Sequence, residues 1–94
     1  MSASDPTKLR QRLEELQLKL ERFDKELQSG FDSLDTAWSQ LDQVWDGMAY
    51  QEFVGHWNGV RSMIQQYLGK SNSYEQFLQE RIRILEKYER SGGI

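Results

Sequence analysis

The sequence predicts an all-α fold, an antiparallel two-helix hairpin that assembles into a four-helix bundle as a dimer. Three observations carry this expectation. A seam without one charged residue steps by fours and threes from Leu9 to Val44. A second seam in the same rhythm runs from Tyr50 to Tyr88, and only Asp46, Gly47 and a few neighbours lie between the two. One helical hairpin domain is expected over residues 1–94, with helix 1 at about 6–45, a turn at 45–48 and helix 2 at about 49–90.

The first helix has a start signal. Ser4 and Asp5 are good N-caps, and Pro6 suits the first turn, where a missing amide hydrogen costs nothing. From there Leu9, Leu13, Leu16, Leu20, Phe23 and Leu27 form the seam, continued by Gly30, Leu34, Ala37, Leu41 and Val44. Beside it runs another row, Phe31, Trp38 and Trp45, repeating every seven residues next to the smaller Gly30, Ala37 and Val44.

The stretch VWDGMAYQEFVGHW, residues 44–57, concentrates aromatic residues and glycines in the middle of the chain. A link this short forces antiparallel neighbours. Gly47 is expected to make the reversal by closing the first helix in a left-handed conformation, with Asp46 capping the next.

The second seam comprises Tyr50, Phe53, Trp57, Val60, Ile64 and Tyr67, then Ser71, Tyr74, Leu78, Arg81, Leu85 and Tyr88. Gly69 and Ser71–Asn72–Ser73 are a weak spot, yet the seam keeps its phase across them, which favours one continuous helix. Met63, Leu68, Phe77, Ile82 and Ile84 widen the apolar surface beyond one stripe. A lone hairpin leaves such broad faces wet, so the rows holding Phe31, Trp38, Phe53 and Trp57 are assigned to a partner interface.

Composition narrows the function. With 94 residues, no Cys and one His, the chain has no disulfide framework and no thiolate metal site or nucleophile. His56 alone makes a poor metal site. The net charge is −3 and both signs mix along the first helix, which reads as a solvated face and not a nucleic-acid stripe. Basic residues gather toward the tail, at Arg81, Arg83, Lys87 and Arg90, and acidic ones toward the bend, at Asp32, Asp35, Asp42 and Asp46, a weak cue for partner registry.

No segment approaches the roughly 18 apolar residues of a membrane span, and the N-terminus has no apolar leader core, so neither stable membrane insertion nor a cleavable leader is expected. No phosphate-cradling loop, metal cluster or converging acid-base pair is present, and the chain reads as a non-enzyme without catalytic residues, cofactor or metal.

Trp45, Asp46 and Gly47, at a turn between two long amphipathic helices in a chain of about a hundred residues, resemble the WXG family, the early-secreted-antigen-like substrates of type VII secretion systems. The likeness extends to Ala49, Phe53 and Trp57 and covers nearly the whole chain. It implies a bacterial protein made in the cytoplasm, exported folded as a homodimer or as a heterodimer with a related small helical protein, and found outside the cell or at its envelope. It also implies that Trp45 and Gly47 belong to a composite export signal read by the secretion machinery.

The other half of that signal in the family is a Tyr followed four residues later by Asp or Glu. Here Tyr74 is followed by Leu78 and Tyr88 by Gly92, so neither makes it. Two readings accommodate the departure. A partner chain supplies the tail signal, or the protein is a cytosolic adaptor or chaperone that binds the N-terminal helices of a larger secreted toxin. A plain antiparallel coiled-coil scaffold is the third reading, distinguished by tolerance of change at Trp45.

Overall fold

The computed structural model describes residues 5–92. Two helices, α1 (Pro6–Asp42) and α2 (Met48–Arg90), form an all-α helical hairpin, and no strand occurs among the described residues. At 1.5 Å per residue each is about 55–65 Å long.

The α1 start follows its sequence signal. The Lys8 amide donates to Asp5 Oδ1 at 3.0 Å, and the Leu9 amide to the Asp5 carbonyl at 2.9 Å, so Asp5 is the N-cap and Pro6 the first helical residue. Ser4 lies outside the described residues.

The other end of α1 differs from expectation. The helix stops at Asp42, three residues before position 45, and the Val44 amide reaches back to the Leu41 carbonyl at 3.0 Å in a tightened final turn. Residues 43–47 make the link. Gly47, at φ +100°, opens α2 instead of closing α1, because its carbonyl accepts the Gln51 amide at 3.1 Å. The N-cap is therefore Gly47 and not Asp46. Across the weak spot at 69–73 α2 is unbroken.

The chain resolves into two compact units, each with segments of both helices. The bend unit is Asp24–Lys70; the end unit joins α1 up to Phe23 with α2 from Ser71.

In the bend unit, Phe31 and Trp38 of α1 and Trp45 of the link turn inward, while Gly30, Ala37 and Val44 are exposed, Val44 at 83%. In the end unit the same heptad row puts Arg10 and Gln17 inward and leaves Leu9, Leu16 and Phe23 exposed at 48%, 54% and 51%. Only the seam positions Leu13, Leu20 and Leu27 are shared with the expected stripe.

Helix α2 shows the same shift. Val54, Arg61, Leu68, Glu75, Ile82 and Glu89 turn inward, whereas Phe53, Val60, Tyr74, Arg81 and Tyr88 stay exposed. The seam expected to close the hairpin thus closes only half of it. Phe31, Trp38 and Trp45 bury far more apolar area than Gly30, Ala37 and Val44 would, which decides the facing row near the bend. On the same heptad row Asp24 turns inward in the bend unit, and Arg10 and Gln17 do so in the end unit.

Candidate interaction site at the bend

The bend unit is held by an aromatic cluster joining the two helices. Trp38 is its centre, with ring centroids 6.1 Å from Tyr50, 5.4 Å from Phe53 and 6.1 Å from Trp57. Phe31, only 8% exposed, stacks on Trp57 at 6.2 Å with the planes 18° apart. Trp45 meets Tyr50 edge-on at 5.7 Å and Phe53 at 5.8 Å. These separations fall in the range where aromatic pairs attract beyond their area burial.

Phe31, Trp38 and Trp57, assigned from the sequence to a partner interface, pack against one another within the bend unit. Large side chains near a short link meet each other before they can meet a second protein. Phe53 both touches the cluster and remains exposed. Together with Leu34, Ala37, Trp38, Leu41 and Trp57 it lines an open apolar groove of about 190 Å³. Sequence reasoning missed Leu34 and Leu41 as surface residues, having placed them inside the seam.

Polar contacts frame the cluster. Arg61 pairs with Asp35 across the helices, its guanidinium 5.9 Å from the Trp57 ring centroid. The Tyr67 hydroxyl donates to Asp24 at 3.0 Å. The Tyr50 hydroxyl donates to Asp42, tying the first turns of α2 to the last residue of α1. That bond holds the Tyr50 phenol above its ordinary pKa, with partial burial adding to the shift. Trp57 Nε1 and Arg61 Nε are buried without an acceptor from the described residues.

Trp45 and Gly47, the expected recognition pair, flank Asp46 in the link. Trp45 is half-buried against its two aromatic neighbours, and an added Cβ at Gly47 would meet nothing within 4 Å. The link therefore presents an accessible backbone beside a fixed indole.

In the end unit, Arg10 joins the two helices through Nε, 2.7 Å from Glu89 Oε2, and also reaches Glu14 at 2.9 Å. Both contacts strengthen the hold of Arg10 on its proton, the Glu89 bond most. Among the described residues no helix is long and apolar enough to cross a membrane, and no group of three His, Cys, Asp or Glu is placed to hold a metal ion. No family model, curated protein or solved structure matches the chain.

Proposed function

We propose that this chain is a small, non-enzymatic WXG-like protein of a type VII secretion system, exported or acting as an export partner in a helical-bundle dimer. The observation that carries the reading is the placing of Trp45, Asp46 and Gly47 in the link itself, with the indole braced by Tyr50 and Phe53. A turn alone needs the glycine. It does not need a fixed tryptophan two residues earlier, and a machine that recognises the bend does.

The uncovered apolar rows support the dimer. Leu9, Leu16 and Phe23 on α1, and Tyr74 and Tyr88 on α2, are large and exposed, as is Phe53 in the bend unit. Surfaces of this kind on a small chain mark protein contact. The bend unit carries seven carboxylates against three cations, and the rest of the chain is close to balance. An antiparallel second copy sets the acidic bend against the more basic ends, which favours a homodimer as the first form to test.

The test is export from a bacterium with a functional type VII ATPase and from its ATPase-deleted counterpart. Export that needs the ATPase and is lost in Trp45→Ala, with helicity and solution mass retained, is the expected result. Loss of helicity and mass in that variant assigns Trp45 to the core and defeats the recognition role.

The second reading, a cytosolic adaptor for a larger toxin, is favoured by the tail, where Tyr88 is followed at the signal spacing by Gly92. It predicts a stable cytoplasmic complex with the toxin's N-terminal helices and no export of the chain.

A further inference from the structure

We infer that the end unit opens and recloses as a pair of arms while the bend unit stays docked. The two units differ in what joins the helices. In the bend unit it is six aromatic rings, Phe31, Trp38, Trp45, Tyr50, Phe53 and Trp57, reinforced by the Arg61–Asp35 pair. In the end unit, half of the inward positions are polar. Arg10, Gln17, Glu75 and Glu89 all turn inward there, and Ile82 is the buried apolar side chain.

The polar seam makes poor adhesive. Gln17 spends its side-chain amide on Glu21 of its own helix at 3.3 Å. The Arg10–Glu89 pair closes through two bonds, at 2.7 and 3.3 Å, but it is a polar tie whose partners both regain water once they part. Meanwhile Leu9, Leu16 and Phe23, which would hold the arms together if they faced inward, lie outside.

Chain connectivity acts in the same direction. Trp45 and Tyr50 are joined through a few residues of link, so the bend unit closes with little loss of chain freedom. Arg10 and Glu89 stand 79 positions apart and meet only after the bend has formed. A segment with few buried apolar contacts opens below the free energy of global unfolding. Once apart, each arm frays from its free end, without the tertiary packing that supplies most helical stability. The opened arms uncover the inward side of Leu13, Leu20, Leu78 and Leu85.

Hydrogen exchange read by mass spectrometry on the full chain tests this. Amides of residues 10–22 and 72–88 are expected to exchange together, at least about tenfold faster than those of 31–41 and 51–64. Uniform protection overturns the inference. So does fast exchange confined to the first and last turns, which is ordinary fraying.

The tryptophans give a second reading. All three, Trp38, Trp45 and Trp57, lie in the bend unit, so their fluorescence follows that unit while far-UV circular dichroism follows both. The dichroism is expected to fall first on heating, and superimposable curves overturn the inference. Gln17→Leu replaces a polar inward residue with an apolar one. It should slow exchange across the end unit and leave the bend unit unchanged; no slowing removes the polar seam as the cause.

Discussion

Replacing Trp38 with alanine tests which helical row closes the hairpin. The indole is half-buried, so truncation withdraws on the order of 100 Å² of apolar contact, about 2.5 kcal/mol at ~25 cal/mol per Å². The three ring contacts to Tyr50, Phe53 and Trp57 add about 1 kcal/mol more. A loss of roughly 3.5 kcal/mol follows, toward the low end for a large aromatic cut to alanine.

The control is Leu16→Ala, on the exposed row of the same helix. It should cost less than about 0.5 kcal/mol in the single chain, as surface changes do. The assay is urea unfolding over a series of protein concentrations, so that the concentration-dependent part reports association and the constant part the hairpin. If Leu16→Ala costs as much as Trp38→Ala in the constant part, the hairpin closes on the Leu9–Leu16–Phe23 row and the packing argument fails.

Gly47→Val is expected to destabilise by about 2 kcal/mol, because φ +100° strains a β-branched residue even where the space is open, whereas Gly59→Ala, within α2, should stabilise by about 0.5–1 kcal/mol; thermal melts compare them. Trp57→Phe removes an unpaired buried N–H together with some ring area, so its net cost should stay within about 1 kcal/mol by urea unfolding. The Tyr50 phenol, raised by its bond to Asp42, should titrate above the ordinary phenol value. A raised folded value means that its stabilisation is full below the ordinary value of about 10 and is lost as pH climbs through the raised one. Alkaline absorbance titration checks this, and Tyr50→Phe should remove the late phase. Glu15 has the opposite sign: Arg12 first, then Lys19, hold its carboxylate below the ordinary 4.5, so its contribution disappears as pH falls through the lowered value, and Glu15→Gln should flatten acid unfolding there.

The sequence made the helices and their reversal legible because their signals are local. Asp5 and Pro6 announce the start of α1, and Gly47 marks the bend, since each acts on backbone groups within a turn of itself. The facing row was harder to read. Two adjacent apolar rows run along α1 near the bend, and periodicity gives the spacing of a stripe without saying which edge of a broad stripe meets the other helix. Charge misleads as well, because the row free of charge reads as the inner one, whereas Arg10 and Asp24 both turn inward. Weighing the size of Trp38 against Ala37 was the signal that could have resolved it. At the candidate site the positions of Trp45 and Gly47 were readable, but the service of Gly47 to α2 depends on the tightened end of α1, which no residue pattern announced.

The inward setting of the aromatic row makes the outer face of the bend unit a matter of residue size. Exchanging two neighbours, Ala37→Trp with Trp38→Ala, moves the bulk by one position along the helix. Leu34 and Leu41, which now line the open groove, would come under cover as Asp35 swung toward water, and the surface offered to another protein would change with them. In a hairpin of this kind, the place of one large ring decides which apolar side chains are left for a visitor.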